Sequence, residues 1–348
     1  MARADALRII FFGTPEIAVP TLEALLAGPH EVVGVVSQPD RGRGRGRKLS
    51  PSPISEVALR EEIPLIRPEK VGDPEAVEAL ATLQPDLGVV VAFGQFIPKK
   101  VREMPTEGYL INAHASLLPK YRGAAPIARA ILNAETETGV SVMRVEKEMD
   151  SGPFALMKRI PIGPTENVVE LSERIATVAA DAIGEAVEQI AEKRITWTEQ
   201  DANAVTFAAK IEKSDAVLDL RESARALAAR LHAVSPKPGG AITLERGDEA
   251  IVLKISRAEW FGGGDDSGAI PGTSVFGKEE GEPRLRIITG EGSLVPLVMQ
   301  RPGGKPLPVA DFLRGFDLAE GECFSLIEAS DSAETSYAPD AHKGSVSA

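Results

Sequence analysis

Five continuous apolar runs in the first 150 residues, at 7–12, 32–36, 87–93, 109–114 and 140–145, constrain this chain more than any other feature. They are short and predominantly apolar, as strands buried on both faces are, and helical patterns fill the intervals between them. That alternation gives an open α/β sheet of parallel strands joined by right-handed crossovers. Ligands of such sheets lie beyond the carboxyl ends of the strands. After the first run, Gly13-Thr14-Pro15-Glu16 reads as a helix start with a cap, an N1 proline and an early acid. Pro15 stands where a dinucleotide-binding G-x-G-x-x-G loop needs its second glycine, which disfavours dehydrogenase chemistry.

The pattern changes along the chain. Residues 168–193 carry apolar side chains at helical spacing and close the first domain as one long helix or two. Past 210 come a short helix at 223–233, a proline- and glycine-rich turn at 235–240, and short alternating strands at 241–244, 251–255, 284–288 and 294–298, which suggest a small β-barrel. A length of 348 residues fits two domains. With 43% hydrophobic and 26% charged residues, no apolar run of about 18 residues, and no secretory pattern at the start, the expectation is a soluble, cytoplasmic protein without a membrane partner. The single Cys323 excludes an intrachain disulfide and a cysteine-based zinc cage, and His30, His232 and His342 are scattered, so no metal is expected. The net charge of −12 argues against a protein that simply coats nucleic acid, although part of it lies in an acidic tail assigned no structure from 330 on.

The fourth run ends in Asn112-Ala113-His114. The two-residue repeat of a strand puts Asn112 and His114 on one face, so an amide and an imidazole aim at the same volume at a strand end. A proline-broken loop follows, Ser116-Leu117-Leu118-Pro119 and then Tyr121-Arg122-Gly123. The fifth run leads to Met149-Asp150-Ser151-Gly152, which sets a carboxylate in a second turn. As structure alone, these are a strand-end histidine held by a carbonyl and an aspartate capping its own turn. As chemistry, they suit addition of an amine to a carbonyl carbon: the amide and a protonated imidazole stabilise the oxyanion, and the carboxylate holds the imidazole and assists proton removal. Ser116 lacks the glycine-flanked elbow of a hydrolase serine. Between the second strand and the next helix, Arg41, Arg43, Arg45, Arg47 and Lys48 alternate with glycines and no acid interrupts them. This is a flexible cationic loop suited to phosphate, with a merely solvated loop as the alternative.

Together these motifs resemble the methionyl-tRNA formyltransferase family of folate-dependent enzymes. The resemblance runs from Phe12-Gly13-Thr14-Pro15 through Gln38-Pro39-Asp40-Arg41, Asn112-Ala113-His114, Ser116-Leu117-Leu118-Pro119, Tyr121-Arg122-Gly123-Ala124-Ala125-Pro126 and Asp150-Ser151-Gly152 to Ala209-Lys210-Ile211, Gln300-Arg301-Pro302-Gly303-Gly304-Lys305 and Asp311-Phe312-Leu313-Arg314-Gly315. It implies a Rossmann-like, open parallel-sheet catalytic domain over 1–195, a linker over 196–210, a smaller OB-like β-barrel that binds tRNA over 211–318, and an acidic tail over 319–348. It implies a catalytic trio of Asn112, His114 and Asp150, a folate-contacting loop at Ser116, Leu117, Leu118 and Pro119, and tRNA contacts from Arg41, Arg43, Arg45, Arg47 and Lys48. The expected co-substrate is 10-formyltetrahydrofolate, without a metal, and the expected partner is initiator methionyl-tRNA bound by a monomer. Two departures from the family pattern stand out: Asp150-Ser151-Gly152-Pro153 replaces Asp-Thr-Gly-Asp, and Ser235-Pro236-Lys237-Pro238-Gly239 replaces Asn-Pro-Trp-Pro-Gly. A formyltransferase for a nucleotide-linked amino sugar would share the Asn-His-Asp centre. A noncatalytic RNA-binding protein would need the cationic loop but not the trio.

Overall fold

The computed structural model describes residues 6–43, 48–247, 249–262, 269–279 and 282–326. Arg45, Arg47 and the acidic tail from 327 on lie outside the described residues. The chain divides into two compact units, Met1–Ile211 and Glu212–Ala348.

The first unit is built on a seven-stranded sheet in the order Phe154–Pro161, Glu137–Arg144, Leu110–His114, Leu87–Val91, Arg8–Gly13, Glu31–Val36, Leu65–Ile66. The apolar runs are interior strands. Ile10 and Phe12 pack with Val36, Val90 and Leu110 against Leu80 of the helix Pro74–Thr82, and the intervening Ile9 and Phe11 are fully buried on the opposite face. Each such side chain contributes roughly 1.5–3 kcal/mol through burial. The single helix Val168–Ala191 packs against Val19–Ala27 and the last three strands. Its start is a capping box in which Asn167 accepts from the N–H groups of Val169 and Glu170, while Glu170 returns to the Asn167 N–H.

Two strands correct the all-parallel expectation. Glu137–Arg144 runs antiparallel to Leu110–His114, and Phe154–Pro161 runs antiparallel to it in turn. The fifth run is apolar because Val140, Val142 and Met143 are buried inside the sheet, which fixes composition but not direction. Phe154–Pro161 mixes Lys158 and Arg159 with apolar residues because it is an edge, so it shows no apolar run. Thr14 is not a helix cap either. A 3-10 turn at Glu16–Ala18 precedes the helix Val19–Ala27, whose first turn contains Pro20, and the Thr14 hydroxyl donates instead to the Phe93 carbonyl at 3.1 Å. Within the cationic stretch, Arg41–Arg43 pairs antiparallel with Lys48–Ser50.

The second unit is an antiparallel sheet in the order Ser274–Glu279, Glu282–Ile288, Ser293–Gln300, Glu249–Phe261, Gly240–Arg246, Phe324–Leu326, with Leu307–Pro308 paired to Ser293–Gln300. The helix Ala224–Val234, capped by Ser223, buries Leu227 and Leu231 against Ile242, Leu253 and Ile255. Residues 324–326, expected to belong to the acidic tail, form a strand of this sheet because Phe324 is an apolar core residue. Next to the two outermost strands, Thr273 and Cys323 form a bridge, the Ser274 N–H donates to the Glu322 carbonyl at 2.8 Å, and the Phe324 N–H to that of Gly272 at 2.9 Å. No helix among the described residues is long and apolar enough to cross a membrane.

Candidate active site

The strand Leu110–His114 lies between Leu87–Val91 and Glu137–Arg144, with Asn112 opposite Val90 and His114 opposite Ser141. Pairing on both sides fixes the backbone, and the strand's alternation carries Asn112 and His114 to the same end of the sheet. There they line a cavity of about 910 Å³ together with Asp150, whose turn follows the strand Glu137–Arg144. That volume suits a small-molecule ligand.

Two backbone groups of the following segment, those of Tyr121 and Gly123, organise the polar side chains. The Tyr121 carbonyl bonds His114 Nε2 at 2.9 Å, and the Gly123 N–H donates to Asp150 Oδ2 at 2.9 Å. The same Oδ2 stands 3.5 Å from His114 Nδ1. A carbonyl oxygen only accepts, so Nε2 carries a hydrogen in either charge state of the ring. The nitrogen that gains and loses a proton is therefore Nδ1, which faces the carboxylate. At 3.5 Å the pair is in contact but longer than the usual 2.7–3.2 Å of an N–H···O bond. His114 is buried and Asp150 mostly so, which preserves the electrostatic coupling between them.

The surrounding loop is held by buried hydrogen bonds. Ser141, fully buried, donates to the Ser116 carbonyl at 2.7 Å and accepts from the Leu118 N–H at 3.1 Å. Ser116 donates to the Lys120 carbonyl at 2.6 Å. The Tyr121 phenol lies between Asn133 and Glu135, donating to the carboxylate at 2.8 Å; burial raises its pKa, and the Glu135 bond raises it further, so it stays protonated near neutral pH. Gly139 admits no side chain, since a Cβ there would meet the Lys158 carbonyl at 2.0 Å and Leu117 at 2.6 Å.

Known proteins resemble this chain at the level of family and fold. Residues 7–187 match the family model described as formyl transferase, and residues 210–317 match that of the formyl transferase C-terminal domain. A methionyl-tRNA formyltransferase of Trichlorobacter lovleyi is 40% identical over 314 residues, covering 90% of this chain and 96% of that protein. One from Methylococcus capsulatus is 41% identical over 313 residues, covering 90% and 98%. The chain belongs to the methionyl-tRNA formyltransferase family. Solved structures share the fold at low identity. An N-formyltransferase from Helicobacter canadensis, in complex with folinic acid and dTDP-3-aminofucose, superposes with a TM-score of 0.60 at 16% identity, covering 85% of this chain and 99% of that one. The sugar 3N-formyl transferase WlaRD gives 0.58 at 17%, covering 86% and 99%.

Within this member of the methionyl-tRNA formyltransferase family, the structure brings Asn112, His114 and Asp150 to one cavity but not the loop Ser116, Leu117, Leu118 and Pro119. Ser116 and Leu118 are buried and brace the turn, and the cavity wall is made instead by residues 90–97 and 123–128. That wall was not legible in advance. Its brace was visible in part, because the conspicuous Thr14 and Gln38 both bond the Phe93 carbonyl, Gln38 through Nε2 at 2.9 Å. Arg41 is exposed at the start of the hairpin, and the backbones of Arg43 and Lys48 pair across it. Among the described residues no group of three or more His, Cys, Asp or Glu is placed to hold a metal.

Proposed function

We propose that this chain transfers the formyl group of 10-formyltetrahydrofolate to the α-amino group of methionyl initiator tRNA, giving the formylated initiator for translation. One observation carries the reading: an amide, an imidazole and a carboxylate converge on a single cavity, with Nδ1 and Oδ2 3.5 Å apart, in a chain about 40% identical to methionyl-tRNA formyltransferases. The cavity suits the co-substrate, being largely apolar in its lining with a smaller polar share that includes Asn112, His114 and Asp150.

In the reaction the amine nitrogen bonds to the formyl carbon and one C=O electron pair moves to oxygen. The C–N bond to the donor then breaks and the carbonyl re-forms. Asn112 donates its carboxamide N–H to the developing oxyanion, and protonated His114 adds its charge and its Nδ1–H. The attacking nitrogen must lose a proton and the departing nitrogen must gain one. Asp150 Oδ2, beside the protonated His114 ring, accepts that proton and returns it to the departing nitrogen, with Gly123 holding the carboxylate and Tyr121 the imidazole.

The division into a catalytic domain over 1–195, a linker over 196–210, a tRNA-binding domain from 211 and an acidic tail belongs to the same reading. The bridge between Thr273 and Cys323 supports treating the second sheet as an OB-like barrel. Ser116, Leu117, Leu118 and Pro119 act in folate binding by setting the loop behind the cavity. Arg41, Arg43, Arg45, Arg47 and Lys48 engage the tRNA, and the chain works as a cytoplasmic monomer. The test is transfer of labelled formyl from the folate to methionyl-tRNA or to an amino-sugar nucleotide. Label on the tRNA supports the proposal; label on the sugar alone, or on neither, overturns it.

A further inference from the structure

Asp150 holds its carboxylate toward His114 from an unfavourable backbone. Its φ is +52°, a left-handed conformation uncommon for a residue other than glycine, so its surroundings must hold it there. Gln200, fifty residues on, does this. Its Nε2 donates to the Asp150 carbonyl at 2.9 Å and to the Gly152 carbonyl at 2.7 Å, spanning the turn. Its Oε1 accepts from Arg122 Nε at 3.0 Å and Nη2 at 2.8 Å. The amide has one possible orientation, since carbonyls only accept and a guanidinium only donates. All four hydrogen bonds are satisfied at once.

The anchors at both ends are firm. Two residues before Gln200, Thr198 exchanges both backbone hydrogen bonds with Phe154, at 2.9 and 2.8 Å. Arg122 lies between Tyr121, which holds the imidazole, and Gly123, which holds the carboxylate. The strand Arg122–Gly123 is itself paired with Phe207–Ala208. Gln200 therefore closes a ring of hydrogen bonds, from the turn that carries Asp150 to the segment that fixes both Asp150 and His114.

We propose that Gln200 is a positioning residue for formyl transfer, acting through Asp150 by clamping the 150–152 turn to Arg122. The proposal rests on the functional reading above and extends it to a residue in the expected linker. Gln200→Met keeps the length and removes all four hydrogen bonds. Gln200→Glu keeps acceptors for Arg122 but sets a carboxylate against two carbonyls.

The test combines a kinetic cycle with residue-resolved amide exchange. In Gln200→Met and Gln200→Glu, kcat is expected to fall about 10- to 100-fold while KM for both substrates changes less than about threefold. Added to Asp150→Asn, Gln200→Met is expected to cost less than about threefold more, because its effect passes through a carboxylate already removed. Independently of activity, the Gly123 amide is expected to exchange at least about tenfold faster in Gln200→Met, while the sheet amides of Val89 and Ile111 are unchanged. Multiplicative losses in the double variant, or wild-type protection at Gly123, overturn the proposal. If the wild-type chain transfers no formyl group, the functional reading fails, and the Gly123 exchange still decides whether Gln200 holds the turn.

Discussion

Ser141→Ala tests how the site is held. Ser141 is fully buried opposite His114, and its hydroxyl makes two bonds to the following loop: to the Ser116 carbonyl at 2.7 Å and from the Leu118 N–H at 3.1 Å. Alanine keeps the Cβ and creates little cavity, but leaves one carbonyl and one N–H without a partner. Each unpaired buried group costs about 1–3 kcal/mol, so the loss should be about 2–6 kcal/mol, a large share of the ~5–15 kcal/mol that stabilises a domain. Urea unfolding followed by Trp197 fluorescence in a Trp260→Phe background reads the first unit alone. The midpoint should fall with an unchanged slope. Because Ser116 leads directly to Lys120 and Tyr121, the Tyr121 carbonyl should also loosen from His114, lowering kcat about fivefold, the value of one neutral hydrogen bond of ~1 kcal/mol. A stability loss below about 0.5 kcal/mol would refute the claim that Ser141 pins this loop.

Further outcomes follow from neighbouring groups. Gly123 has φ +126°, and a Cβ there would lie 2.8 Å from the Ala208 carbonyl, so Gly123→Ala should cost ~1–3 kcal/mol in thermal or urea stability and lower kcat as its N–H leaves Asp150. Replacing Arg43 and Arg47 by alanine should flatten the salt dependence of tRNA affinity by about 0.7–0.9 in log–log slope for each phosphate no longer neutralised; an unchanged slope removes them from the interface. In the second unit, hydrogen bonds from Arg221 lower the Asp219 pKa from 3.8 to about 2. Being depressed in the folded state, this carboxylate contributes stability above about pH 4, and the contribution is lost as pH falls through about 2. Arg221→Gln should therefore move acid unfolding, followed by Trp260, to higher pH.

The interior of the first sheet was legible because its strands are apolar on both faces, and Asn112 and His114 were legible because alternation at a strand end is a local rule. Direction was not. The antiparallel course of Glu137–Arg144 depends on which neighbour it meets, and burial gives the same composition either way. The edge strand Phe154–Pro161 was hidden by its charges, and the hairpin stem at Arg41–Arg43 by glycines that suggest mobility. Asp150 was readable as a carboxylate in a turn, but the residues that aim it were not. Gly123 acts through a backbone N–H and Gln200 from fifty positions away, and neither interaction leaves a mark in local spacing.

The most direct test of the central claim is single-turnover formyl transfer to methionyl-tRNA by Asp150→Asn, which keeps the shape of the side chain and removes its charge and proton affinity. A group that moves protons in the reaction should be worth about 10²- to 10⁴-fold in rate. The account predicts a loss in that range with folate and tRNA affinities within about twofold of wild type. A variant that retains more than about a tenth of the wild-type rate would contradict it.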